Sequence, residues 1–195
     1  MKAFIISQPK AGTYLCANLL VNFNMVPSNM HVKNNKYRVY QVGSSLPRFA
    51  TKKELKNYIK AVTYYENSFG DIVDLIPDNG FAVGHLPCEG KYINALKDVK
   101  KILLTRPYDE HQESIKRFKE EMHGDTSVNK DGYFGMLEWR NQPDVFELQF
   151  SDMIKPRLAQ IRKLQNYLYG EVKYDEEQAI QRALSSPSPT KSSIR

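Results

Sequence analysis

Three short stretches hold the residues whose types and spacing could do chemistry. The first is Ser7-Gln8-Pro9-Lys10-Ala11-Gly12-Thr13-Tyr14, which joins an apolar run to an amphipathic one. Where a strand turns into a helix, unpaired N–H groups and the positive end of the helix dipole favour an anion. Gly12 allows a phosphate oxygen close to the backbone, Thr13 adds a hydroxyl and Lys10 a mobile positive charge. The Walker pattern GxxxxGK[ST] does not occur. On these residues alone the stretch reads equally as a phosphate loop or as an ordinary strand-to-helix turn.

The second stretch is Lys101–Thr105, ending at Arg106-Pro107, with Ser114 eight residues beyond Arg106. A guanidinium at a strand end can grip a phosphate through two hydrogen bonds, and Ser114 can offer a hydroxyl to the same group. Taken singly, a surface ion pair and a neutral helix position are the plainer readings. The third stretch is Gly84-His85-Leu86-Pro87. An imidazole with an ordinary pKa of about 6.5 suits a general base, although a lone histidine is more often a packed or surface residue.

The elements that must position these residues alternate in type. Ala3–Ser7, Gly80–Leu86, Lys101–Thr105 and Val145–Phe150 read as buried strands, with an edge strand around Tyr37–Val42. Leu15, Cys16, Leu19, Leu20 and Phe23 mark one helix face, and Leu55, Tyr58, Ile59, Val62 and Tyr65 a second. A third helix carries His111, Ile115, Phe118 and Met122, and a fourth, opened by Pro156, carries Leu158, Ile161, Leu164 and Leu168. The Asn-rich stretch between Phe23 and Tyr37 reads as a polar connection. Residues 123–141 read as a long surface loop with a short helix. Strands separated by helices imply crossover connections, so the expected fold is α/β: a mainly parallel central sheet flanked by helices on both faces. Residues 1–184 are expected to form one domain, and the Ser/Pro-rich residues 185–195 a tail or mobile loop.

Composition narrows the class. At 195 residues, 41% hydrophobic and 26% charged, the chain has the makings of one core and is not a disordered sequence. Cys16 and Cys88 cannot build a disulfide framework, and no Cys/His spacing suggests structural zinc. No apolar run reaches the roughly 18–20 residues that cross a bilayer, and the first residues do not read as a signal peptide. A cytoplasmic location is therefore expected. Lys+Arg 28 against Asp+Glu 22 gives a net charge of +6, with a sequence pI near 9.1. That charge draws anions without choosing among them. The basic residues are dispersed rather than gathered in an arm, so no nucleic-acid partner is expected.

Taken together, the motifs resemble those of sulfotransferases that use 3′-phosphoadenosine 5′-phosphosulfate (PAPS), a group with a P-loop NTPase-like architecture. Gln8–Thr13 resembles the family's 5′-phosphosulfate loop, typically PKSGTTW. Lys101–Ser114 resembles its 3′-phosphate element, with an Arg and a Ser eight positions apart. Gly84-His85-Leu86-Pro87 resembles the THLP segment that carries the catalytic histidine of the cytosolic branch, and Phe150-Ser151-Asp152-Met153 is similar to a later YEDM-like turn. The agreement runs over about residues 3–170. Ala11 stands where the family has Ser, Leu15 where it has the Trp that stacks on adenine, and Pro107 where it has Asn. The closing RKGxxGxW segment is missing, and Arg195 is the residue that could stand for its arginine.

The resemblance implies transfer of a sulfuryl group from PAPS to a hydroxyl or amine of a small-molecule or carbohydrate acceptor, without a metal. His85 would take the acceptor's proton, and Lys10 would stabilise charge on the departing 5′-phosphate. Backbone groups from Lys10, Ala11, Gly12 and Tyr14, with the Thr13 hydroxyl, would hold that phosphate. Arg106, Ser114 and Arg195 would hold the 3′-phosphate. The alternatives are a P-loop-like nucleotide kinase and a noncatalytic nucleotide- or nucleic-acid-binding module. His111 is expected to pack against the core, His31 and His123 to lie in polar loops, and Tyr133, Phe134 and Trp139 to anchor a loop or form an acceptor lid.

Overall fold

The fold is organised around its first strand, β1 (Lys2–Ser7), in which Ala3, Phe4, Ile5 and Ile6 are wholly buried. Side chains alternate across a strand, and here both faces are apolar, which marks a central parallel strand. Phe4 and Ile6 enter one hydrophobic cluster, Ala3 and Ile5 the other. The computed structural model describes residues 1–44, 51–122 and 127–187.

Helix α1 (Thr13–Asn22) follows β1 and leads into β2 (Val26–Lys33), which turns through Asn34 and Asn35 into β3 (Lys36–Val39). Beyond α2 (Lys52–Ala61), the short β4 (Thr63–Tyr65) pairs with β3. Next come α3 (Phe69–Asp74), β5 (Gly80–Gly84), α4 (Gly90–Ala95), β6 (Lys100–Thr105) and α5 (Tyr108–Met122). The chain continues through α6 (Lys130–Leu137), a 3-10 turn (Glu138–Asn141), β7 (Val145–Gln149), α7 (Phe150–Ile154), α8 (Leu158–Tyr169) and α9 (Glu176–Ser185).

Among the described residues the sheet has seven strands in the order β4-β3-β2-β5-β1-β6-β7. Strands β2, β5, β1, β6 and β7 run parallel, while β3 and β4 return antiparallel at one edge. One face is covered by α1, α8 and α9 through Leu19, Leu20, Leu164 and Ile180; the other by α3, α4 and α6 through Ile72, Tyr92, Met136 and their neighbours. Each large side chain so buried contributes about 1.5–3 kcal/mol. This is the expected mainly parallel sheet with helices on both faces.

Three readings of the sequence are corrected. The Asn-rich connection is in fact strand β2, with Met30, His31 and Val32 buried. Its asparagines mask the alternation because they supply the bends: Asn24, Asn29 and Asn34 have φ of 57°, 58° and 57°, a left-handed conformation that Asn tolerates better than most residues. Asn29 sits where the β2–β5 register shifts between Pro27 and His31. The second amphipathic helix stops at Ala61, and Tyr65 belongs to β4. Its apolar stripe buries no residue in the core; Leu55, Tyr58 and Ile59 line a cavity instead. The segment read as a long surface loop with a short helix does hold helix, over residues 130–141, but it is no mere surface loop: Trp139 is fully buried with its Nε1–H on Leu86 O at 3.0 Å. Helix α9, which the sequence reading had not picked out, packs Ala179, Ile180 and Ala183 against the α1 side of the core. No helix of the described residues is long and apolar enough to cross a membrane.

Candidate functional site

Parallel strands β1, β2, β5 and β6 all end at the same edge of the sheet, and their ends open into one cavity of about 1040 Å³. That lies at the upper end of the roughly 300–1,000 Å³ range of ligand sites. Lys10, Thr13, His31, His85, Arg106 and Ser114 all line it. The three stretches separated in sequence are thus brought to one place.

The turn after β1 is held from several sides. Lys10 and Gly12 have φ of 69° and 100°, two left-handed residues within three. Ser7 Oγ and Thr13 Oγ1 share a hydrogen bond of 2.7 Å. Gln8 Nε2 donates to Gly132 O and Tyr133 O at 3.0 and 3.1 Å, and His111 Nε2–H donates to Pro9 O at 2.7 Å. His111 is buried, as its helix face implies, and it also pins the turn. Arg106 Nη1 and Ser114 Oγ both donate to Lys10 O, each at 3.4 Å. The second stretch therefore braces the backbone of the first. No side chain caps α1 at Gly12 and no acidic residue lies in its first turn, which leaves the positive end of the helix for an anion. An added Cβ on Gly12 would run into the Phe150 ring, so glycine is required there for space as well as for φ.

Around Arg106 the surroundings are cationic and aromatic. Its guanidinium carbon lies 4.4 Å from the Phe150 ring centre, and its Nε pairs with Glu110 at 3.6 Å. Burial lowers its pKa, Glu110 opposes that, and the neighbouring Arg117 charge adds to it. Arg117 lies one helical turn beyond Ser114 and lines the same cavity; its buried Nε has no hydrogen-bond partner among the described residues. Two guanidiniums this close, with buried N–H capacity left over, form a setting for an anion. Arg117 was not singled out in the sequence. Its spacing of three from Ser114 on a helix is the signal that could have singled it out. Lys10 Nζ lies 3.9 Å from the Phe118 ring centre, on the same helix.

His85 has a neighbour that sequence reading dismissed. His85 Nδ1 is 2.6 Å from Ser7 O, its Nε2 is 2.9 Å from His31 Nε2, and His31 Nδ1 is 2.9 Å from Tyr14 Oη. A carbonyl only accepts, so His85 donates from Nδ1 and, when neutral, presents a bare Nε2. His31 must then donate from Nε2 and accept from the Tyr14 hydroxyl at Nδ1. The chain of donors is fixed from end to end. Burial pushes the His85 pKa down to about 4, and the charges of Arg38 and Lys33 add to this against the opposing Ser7 hydrogen bond. Burial, then His85 and Arg38, hold His31 well below its ordinary range. Burial pushes the Tyr14 hydroxyl up to about 12. His31 is not in a polar loop: it sits on β2, directly opposite Arg38 of β3.

The remaining expected residues divide clearly. Ala11 is buried in the turn, and Leu15 is buried in the core, where it offers no face to a base. The Tyr14 ring stands edge-on to Tyr40 with centres 5.1 Å apart. Tyr133 is buried and donates its hydroxyl to Arg106 O, and Trp139 packs in the core, so both are anchors rather than a lid. Cys16 is buried and its thiol is pushed up to about 12. Arg195 and His123 lie outside the described residues. Among the described residues no cluster of three His, Cys, Asp or Glu side chains is placed to hold a metal ion.

Comparison with known proteins gives a likeness in structure alone. No protein-family model matches the chain, and no curated protein sequence does. Mouse sulfotransferase SULT7A1 complexed with PAP superposes with a TM-score of 0.52 at 16% identity, over 93% of this chain and 63% of that one. Retinol dehydratase in complex with androsterone and the inactive cofactor PAP gives 0.58 at 19%, over 93% and 62%. The same enzyme with retinol and PAP gives 0.55 at 16%, over 93% and 62%. The chain therefore spans a little under two thirds of the length of these structures. What they share with it is the architecture: this protein has the sulfotransferase fold.

Proposed function

We propose that the protein moves the sulfuryl group of PAPS to a hydroxyl or amine acceptor. The observation that carries this reading is the convergence on Lys10 O. Arg106 and Ser114, one strand and one helix away, bond the backbone of the very turn that opens α1, so the two elements read as anion-binding stand side by side. A nucleotide phosphorylated at both its 5′ and 3′ positions matches that pairing. The solved structures of like fold, which carry PAP, support the same reading.

The residues present fit such a donor. Lys10, Gly12, Thr13 and Tyr14 would receive the 5′-phosphate through the helix start, and Arg106, Ser114 and Arg117 the 3′-phosphate. PAPS supplies an activated sulfuryl group on a good leaving phosphate, so the protein's share is positioning and charge stabilisation. Lys10 brings its ammonium to the leaving oxygen. His85 takes the acceptor's proton at Nε2, the atom whose lone pair the Ser7 hydrogen bond exposes. In the resting arrangement His31 N–H caps that lone pair, and the acceptor hydroxyl takes its place. Bound anions raise the basicity of His85 by offsetting the cations that depress it. A nucleotide kinase, the other enzymatic reading, finds no comparable support in this site.

Thermal stabilisation by PAP, set against ATP, ADP and AMP without added metal, tests the reading. A rise in Tm confined to the 3′-phosphorylated nucleotide is expected. No rise with millimolar PAP overturns it.

A further inference from the structure

The cavity carries more positive charge than a donor nucleotide needs. Lys10, Arg106 and Arg117 stand at its nucleotide end. Lys33, Lys36, Arg38, Lys56 and Lys60 also line it, on β2, β3 and α2, beyond the His31–His85 pair. Among the described residues no Asp or Glu lines it at all.

These five cations lack balancing partners among the described residues. None pairs with a carboxylate within 4.0 Å among the described residues, whereas Arg140, Arg157 and Arg162 elsewhere pair with Glu147, Asp152 and Glu176 at 2.9, 3.5 and 2.6 Å. Two of the placements act against stability. Lys33 and Lys36 are direct cross-strand partners in the β2–β3 hairpin, and like charges so opposed destabilise a sheet. Lys56 and Lys60 stand four apart on one face of α2, the like-charge spacing that destabilises a helix. The hairpin and the helix present these rows to one cavity. Arg38 and Lys33 are near enough for their charges to bear on His85. Between the rows, Tyr37, Tyr40 and Tyr58 offer ring surface, suited to the body of a sugar or an aromatic acceptor. A half-enclosed surface of one sign concentrates ligands of the other.

We infer that the acceptor is itself an anion: a hydroxylated molecule bearing carboxylate, sulfate or phosphate groups, held by Lys33, Lys36, Arg38, Lys56 and Lys60 with its hydroxyl toward His85. This rests on the donor reading for the other half of the cavity. The transfer balances simply: the acceptor oxygen bonds to sulfur, the bond from sulfur to the 5′-phosphate oxygen breaks, and the hydroxyl proton goes to His85 Nε2.

Matched acceptors that differ in charge test it. 4-Hydroxyphenylacetate is compared with its methyl ester, and 4-methylumbelliferyl glucuronide with the corresponding glucoside. The anionic member is expected to have at least a tenfold higher kcat/KM, and the ratio to shrink as salt rises. Lys36→Glu/Lys60→Glu is expected to cut the ratio at least tenfold. PAP affinity is titrated in parallel on both proteins, which also reports that the variant is folded. If neither pair turns over, calorimetry on the PAP-saturated protein measures whether the glucuronide binds more tightly than the glucoside. Bound PAP with no preference for the anion, in rate or in binding, overturns the anionic acceptor and leaves the donor reading standing. Absence of PAP binding overturns the donor reading itself.

Discussion

Lowering the pH from 7 to 5 is a quantitative probe of the buried histidine pair. His85 has its pKa lowered to about 4 in the folded protein, against about 6.5 in an unfolded chain. The unfolded state therefore takes up the proton first as pH falls. Stability is full above pH 6.5 and declines as the pH drops toward 4. From these two values His85 alone removes about 2 kcal/mol between pH 7 and pH 5, and about 3 kcal/mol over the whole window. His31, lowered well below its ordinary value by burial and by His85, adds a loss of the same sign. Urea denaturation at the two pH values, on the wild type and on His85→Gln, isolates the first contribution. The wild type is expected to lose about 2 kcal/mol more than the variant. His31→Phe/His85→Gln should flatten the dependence further. If wild type and His85→Gln change in parallel to within about 0.5 kcal/mol, close to the accuracy of the extrapolation, the reasoning from burial is refuted.

Arg106→Ala should weaken PAP binding by about 2–5 kcal/mol, the range for removing one partner of a desolvated charge pair; an unchanged Kd by calorimetry counts against its role. Gly12→Ala forces a Cβ into the Phe150 ring at φ +100°, and should lower unfolding free energy by about 1–3 kcal/mol and weaken PAP binding with it. A wild-type Tm and Kd in that variant would contradict the described turn. His85→Ala should abolish turnover while PAP still binds, and retained turnover would remove His85 from the chemistry.

The parts of the site legible in the sequence are those whose signal is local. Strand β1, its turn and α1 form one continuous stretch, so Lys10, Gly12 and Thr13 could be read together. Arg106 and Ser114 likewise share a strand end and the helix after it. His31 could not be found this way. Its partner is 54 residues away, and its own strand contains Pro27 and a left-handed Asn29, which break the alternation that announces a strand. Strand β2 pairs with β5 all the same, because its buried Met30, His31 and Val32 are selected by what lies across the sheet rather than by propensity. Helix α2 shows the converse. Its amphipathic pattern was plain, but no pattern says whether an apolar stripe faces a core or a cavity. The basic charge along β3 and α2 was equally invisible as a feature, since dispersed lysines become a field only when the chain folds.

If the donor nucleotide binds as proposed, the shared carbonyl of Lys10 makes the two phosphate positions thermodynamically one. A ligand group that orders Arg106 and Ser114 also orders the turn they brace, so the entropy of fixing that turn is lost once, not twice. The free energies of the two phosphates are then more than additive, and either phosphate alone realises less than its share. On that reading a mononucleotide would be discriminated against by missing cooperativity as well as by a missing contact. Selectivity of this kind belongs to the link between the elements rather than to any residue that touches the ligand, and a double-mutant cycle between Arg106 and Thr13 would express it as a coupling energy.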